Sequence, residues 1–186
     1  MRGIERLSAV EISTPQMTRA LPLLPMDETV MVRLLRIAVV GLGHYFEPVF
    51  RDIGLNESCF HVLCLLVAND SGQASPGELS ELVGTSRANM TRILDSLSDD
   101  GLITRASSVY DARRSVVQIT PKGKVVTNAA VPRLSAPLKR AFDGLSAVEF
   151  TTLAELLRKA VVSFDKGLMP LGAAPKDRTI EIMAVD

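Results

Sequence analysis

Between Ser75 and Gly101 the chain punctuates itself so closely that few folds remain open to it. Ser75-Pro76-Gly77-Glu78 reads as a capping box with proline at the first helical position, and Gly84 stops that helix early. Thr85 or Ser86 caps the next helix, which carries Met90, Ile93, Leu94 and Leu97 on one face and ends at Asp100-Gly101. Two helices thus stand joined by a tight glycine-containing turn. From Leu102 the helical period gives way to extended runs, Leu102-Ile103-Thr104 and Ser115 to Thr120, which flank the polar centre Tyr110 to Arg114. That pattern predicts a β-hairpin.

The flanks are helical. Asn56 caps a helix from Glu57 to about Asn69, with Phe60, Leu63, Cys64, Val67 and Ala68 expected on its inner face and Asp70-Ser71-Gly72 closing it. The segment from Asp27 to about Arg51 is apolar nearly all round, since Val32, Ile37 and Val40 lie opposite Met31, Leu34, Leu35 and Ala38. Such a helix needs covering, and in so short a chain a second subunit is the expected source. Pro15, Pro22 and Pro25 make residues 1–26 an arm with room for only a short helix over Ile4 to Ile12. Thr120-Pro121 opens a helix through about Phe142, and a second capping box at Ser146 to Glu149 opens one through about Phe164. The tail from Met169 reads as extended. The expected class is mostly α with a small β-wing. Its parts are an arm (1–26), a helical dimerisation region (27–54 and 121–168), a winged helix-turn-helix (55–120) and a C-terminal tail (169–186).

Composition narrows the function. Basic and acidic residues balance at 21 each, yet residues 84–124 carry seven basic side chains against four acidic ones, while residues 1–83 carry six against ten. One cationic stretch on an otherwise neutral chain suits phosphate contacts there. With two histidines, no glycine-rich phosphate loop and no nucleophile elbow, no catalytic constellation emerges, and no cofactor is expected. Cys59 and Cys64 are too few for a disulfide framework or, without histidines at ligand spacing, for a metal site. No apolar run approaches the ~20 residues of a membrane span, and Met1 to Ala9 lacks a signal-peptide core, so a cytoplasmic location away from membranes is expected.

A second helix of this kind enters the DNA major groove. Its outward N-terminal residues would be Ser86, Arg87, Asn89, Met90 and Thr91, beside an amide-rich helix start that favours phosphate, with Arg92 further round toward the backbone and Ser75 joining them from the preceding cap. Asn and Arg read adenine and guanine edges bidentately, and Thr or Met suits a thymine methyl. In the hairpin, Arg113 and Arg114 can reach a minor groove, with Asp111 holding an arginine fork in direction.

The stretch from Phe60 to Lys124, with Ser75 to Leu79, Ser86 to Leu97, Asp100-Gly101-Leu102-Ile103, Asp111-Ala112-Arg113-Arg114 and Ile119 to Gly123, resembles the MarR family of transcriptional regulators. The resemblance implies a homodimer, built from the first and last two helices, that presents two winged helices to palindromic double-stranded DNA. It implies most often a repressor relieved by a small aromatic or phenolic ligand. Asp111 and Arg113 match that family's acid-x-Arg wing signature, and Asn89, Thr91 and Arg92 its recognition-helix positions.

Aromatic and imidazole groups gather at His44, Tyr45, Phe46, Phe50, Phe60 and His61, enough to line a pocket for a planar ligand, with His44, His61 or Arg51 meeting a phenolate or carboxylate and Phe50 against the ring. Cys59 and Cys64, about 140° apart around one helix, cannot easily pair with each other. They leave two alternatives to weigh: a thiol-based redox regulator, and a winged-helix protein-interaction module without DNA binding.

Overall fold

The computed structural model describes residues 3–107 and 115–167, so Asp111, Arg113, Arg114 and the tail from Met169 lie outside the described residues. The order is α1 (Gly3–Ala20), α2 (Met26–Ile53), α3 (Glu57–Ala68), β1 (Gln73–Ala74), α4 (Pro76–Val83), α5 (Arg87–Asp99), β2 (Ile103–Ser107), β3 (Ser115–Ile119), α6 (Pro121–Arg140) and α7 (Ala147–Gly167). The expected class, mostly α with a small β-wing, is the one observed. The chain divides into two compact units, Met1–Ala141 and Phe142–Asp186.

Within the first unit the principal correction is the arm. α1 runs through Pro15, where a proline removes one backbone hydrogen bond and crowds the preceding turn. Tertiary contacts offset that cost: α1 packs on α2, Val10 is buried, and the Arg33 guanidinium donates across the pair to Ser13 Oγ at 2.8 Å. Pro22 and Pro25 do break the chain, at the short link between α1 and α2.

The winged core gathers Cys59, Val62, Leu63 and Leu66 of α3, Leu79 of α4, Met90, Ile93, Leu94 and Leu97 of α5, and Leu102, Ile103, Val117 and Ile119 around the sheet. The inner face of α3 is therefore rotated by about one residue from the expected one, and Val67 is exposed. The helix is apolar on every side, so its period cannot select a face. Its other flank, at Phe60, packs on a second cluster formed by Phe46, Phe50 and Leu134 from α2 and α6. α3 is thus clamped between the winged core and the long helices.

The expected hairpin is present as β2 and β3, paired antiparallel from Ile103 opposite Ile119 to Ser107 opposite Ser115. A third strand, the two-residue β1, pairs with β3 on its other side and completes the sheet order β1-β3-β2. The start of α6 sits tightly against the turn that leaves α5. Thr120 caps it by accepting the Gly123 N–H at 3.0 Å, and its own hydroxyl donates to the Gly101 carbonyl at 2.9 Å. Gly123 faces the Leu102 carbonyl so closely that no side chain fits between.

α2 is long and apolar enough, by length and composition, to cross a bilayer, the one such helix among the described residues. Phe46 and Phe50 are buried, whereas Met31, Val32, Val39 and Val40 are exposed. In the second unit Ser146 and Glu149 form the expected reciprocal cap, the Ser146 N–H donating to Glu149 Oε2 at 2.8 Å. The Ser146 hydroxyl, donating to the same oxygen at 2.7 Å, and then that N–H hold the Glu149 carboxyl below its ordinary range. Phe142 and Phe150 meet edge to face at 5.4 Å, and Val148, Leu156, Val161, Val162 and Phe164 of α7 are exposed.

Candidate nucleic-acid interface

The helix pair is set by its caps. The Glu78 N–H donates to Ser75 Oγ at 3.2 Å while the Ser75 N–H donates to Glu78 Oε2 at 2.7 Å, so both halves of the box form at the start of α4. Gly84 ends α4 at φ 69°, a left-handed conformation that a glycine adopts without strain. The turn is then pinned from beneath, because the nearly buried Ser80 hydroxyl donates to the Thr85 carbonyl at 2.8 Å. Of the two expected caps for α5, Ser86 is the one used, accepting the Asn89 N–H at 3.2 Å.

α5 has two unlike sides. Met90, Ile93, Leu94 and Leu97 are buried, and Ser86, Arg87, Asn89, Thr91 and Arg92 are exposed. Met90 is a correction: expected at the DNA groove, it is 1% exposed and packs in the core, because a residue four before Leu94 must share Leu94's face. Ser75, also a candidate contact, is half-buried with its hydroxyl engaged in the cap. The Asn89 amide donates one hydrogen to Thr85 Oγ1 at 2.8 Å, which fixes the plane of the group. Thr91, exposed on the same side, donates from Oγ1 to the Arg87 carbonyl at 3.0 Å. Arg87 and Arg92 enter no ion pair among the described residues.

A basic residue that the sequence reading passed over completes this surface. Arg105 leaves β2 on the same side as Ile103, two residues back, which is the side turned to α5. Its guanidinium donates to Asp95 Oδ1 at 2.7 Å and to the Thr91 carbonyl at 3.3 Å. The wing's first strand is thereby tied to the middle of α5, and the one acidic group between Arg92 and Asp99 is neutralised. The signal available was its place in the cationic stretch two residues after a core isoleucine. Lys122 is also engaged, donating from Nζ to the Asp100 carbonyl at 2.7 Å.

The four expected ligand contacts are only partly brought together. Phe50 and His61 line one cleft of about 210 Å³ with Phe46, Glu57, Phe60 and Cys64, closed on the α6 side by Leu134 and Leu138. Arg51 lines a separate cleft and is paired with Glu47 at 2.8 Å, and His44 is exposed on α2 and lines neither of these clefts. Both cysteines are free. Burial pushes the Cys59 thiol up, against a weaker opposing pull from the Asn56 side chain, and pushes Cys64 up as well. A peroxide-sensing thiol needs the opposite shift.

Comparison with known proteins agrees with this geometry. A model of the MarR family matches residues 53–114. The transcriptional repressor MprA of Escherichia coli (strain K12) is 30% identical over 142 residues, 76% of this chain and 81% of MprA. The structure of Bordetella bronchiseptica BpsR, whose DNA binding is regulated by 6-hydroxynicotinic acid, is 26% identical with a TM-score of 0.64, covering 70% of this chain and 98% of that one. A Streptomyces coelicolor MarR family regulator in complex with DNA shares the fold with a TM-score of 0.69 over 82% of this chain and 95% of that one, at 21% identity.

Proposed function

The chain belongs to the MarR family of DNA-binding transcriptional regulators, and on that premise we propose that it acts as a homodimeric repressor of a pseudo-palindromic operator, released by a small aromatic ligand. α5 enters the major groove. There Arg87 and Asn89 read base edges, Thr91 offers a methyl, and Ser86 and Arg92 meet the backbone. Arg113 of the wing reaches the adjacent minor groove, with Asp111 orienting it and Arg114 beside it. The observation that carries this reading is the division of α5: every polar candidate on it is exposed, while the opposite face is sealed into the core.

Dimerisation rests on residues 27–54 and 121–168. The exposed apolar side chains of α2 and α7 support it, because a monomer with that much uncovered apolar surface would associate in water. The same surface accounts for the length and apolarity of α2 without a membrane, and a regulator of DNA works in the cytoplasm. The two reading helices must then lie about 34 Å apart, one DNA turn. A ligand in the cleft between α2, α3 and α6 bears on α3, whose other face belongs to the winged core, and so alters that spacing. A coupling of only ~1–3 kcal/mol releases the operator 5- to 150-fold.

The test is selection of the purified protein on a random DNA library, followed by titration of the enriched duplex at several salt concentrations. A two-fold symmetric site with half-sites one turn apart and a steep salt slope is expected. Arg113→Ala should reduce preference for A·T pairs flanking each half-site. Failure to enrich any sequence, persisting after refolding to strip bound ligand, would favour the protein-interaction alternative.

A further inference from the structure

We propose that the cleft between α2, α3 and α6 takes planar aromatics that carry a hydrogen-bond donor or a positive charge, and discriminates against aromatic carboxylates. The inference rests on reading that cleft as the effector site. Its walls are the rings of Phe46, Phe50 and Phe60, stacked in series at centroid distances of 6.1 and 5.8 Å and tilted to one another, with Leu134 and Leu138 opposite. This is a slot for a flat, apolar body. The polar groups decide what the ring can carry. They are Glu57, in the first turn of α3, His61 one turn further along the same face, and the Cys64 thiol, which burial keeps protonated.

Among the described residues no lysine or arginine lines the cleft. Arg51, the cation expected to meet a carboxylate, is bound to Glu47 and belongs to the neighbouring cleft, which Glu57 also borders. Among the described lining residues the one carboxylate is that of Glu57. An anionic ligand would lose water and gain a like charge, whereas an amine or phenol would gain an acceptor. Glu57 is exposed, so the effect is moderate, about tenfold between an attracted amine and a repelled carboxylate.

Three ligands with one ring system isolate that choice: 2-naphthylmethylamine, 2-naphthol and 2-naphthoate, each titrated by naphthyl fluorescence against the full chain at pH 8. The amine is expected to bind tightest and the carboxylate about tenfold more weakly than the amine. Glu57→Gln, an exposed change, should bring the amine to within about threefold of the naphthol, whose own affinity falls less because the carboxamide oxygen still accepts from its hydroxyl. Naphthoate binding as well as the amine, or an amine-to-naphthol affinity ratio unchanged in Glu57→Gln, overturns the charge preference while leaving the cleft an effector site. If none of the three binds, or if Phe60→Leu leaves all three affinities unaltered, the cleft reading falls and the preference with it.

Discussion

Replacing Gly123 by alanine sets two known effects against each other at one atom. Gly123 is the third residue of α6 and lies outside the set of positive-φ glycines, so alanine suits its backbone and should stabilise the helix by about 1 kcal/mol from propensity alone. The new Cβ, however, would overlap the Leu102 carbonyl oxygen and come within 2.8 Å of Ile119 Cγ1. That carbonyl cannot retreat cheaply, because it accepts the Thr120 N–H at 3.0 Å and the Thr120 hydroxyl at 3.1 Å. Overpacking costs about 1–3 kcal/mol, and loosening these hydrogen bonds about 0.5–1.5 kcal/mol more. The clash wins, for a net loss of about 1–3 kcal/mol. At about 2–4 °C per kcal/mol for a chain of this size, Tm should fall by several degrees. Urea unfolding followed by circular dichroism reads this directly, with protein concentration held fixed because the proposed dimer would make stability depend on it. Gly77→Ala is the control, since its Cβ would meet only Ser75 Oγ at an ordinary 3.9 Å. A Gly123→Ala protein as stable as the wild type would show that α6 can shift on the winged core, and the tight junction described above would be wrong.

Removing Arg105 should cost stability less than about 1 kcal/mol, since the pair with Asp95 is partly exposed. Operator affinity should fall further, because Asp95 then faces the phosphates uncompensated; Asp95→Asn in the Arg105→Ala background should restore most of it, and a double-mutant cycle on operator binding that finds no coupling rejects the role. Asn89→Ala should relax base preference at one position per half-site by about 1–3 kcal/mol, measured across single-base operator variants, whereas an equal loss on every sequence would mark a phosphate or folding role. With Cys59 and Cys64 pushed up by burial, the folded state binds thiol protons that the unfolded chain releases. The stabilisation is therefore complete at neutral pH and is lost as pH climbs past the ordinary cysteine range. A thiol reagent at pH 8 should label Cys59 slowly in the native protein and quickly in urea, and rapid native labelling would contradict its burial.

Caps were the legible part of this fold. Asn56, Ser75 with Glu78, Ser86, Thr120 and Ser146 with Glu149 all act where the sequence puts them, because a cap is a local hydrogen bond between residues two or three apart. What escaped reading depends on partners distant in sequence. α1 persists through Pro15 because Arg33, far along the chain, holds it. The buried face of α3 is chosen by α4, α5 and the sheet, and an all-apolar helix carries no mark of that choice. β1 is two residues long, below any periodic signal, and exists only because β3 offers an edge. In the candidate site the exposed polar residues of α5 followed from helical spacing, and Met90 did not only because it was placed on both faces at once. Arg105 required knowing that β2 crosses the middle of α5. His44 and Arg51 were assigned to one pocket by nearness in sequence, although a helix turns them away from the face that Phe46 and Phe50 share.

The two-sided character of α5 also bears on how such a regulator changes its targets. Its buried and its outward residues are disjoint sets, interleaved along thirteen positions yet separated in space. Substituting Arg87, Asn89, Thr91 or Arg92 removes no core atom, so the thermodynamic penalty for exploring new side chains there is small. Operator preference can therefore drift, be duplicated and diverge, or be reassigned by a designer, at little cost to the folding of the scaffold. The same separation makes a library at those four positions, with proline left out, a fair assay of reading, once each variant that fails to bind is shown by circular dichroism to be folded.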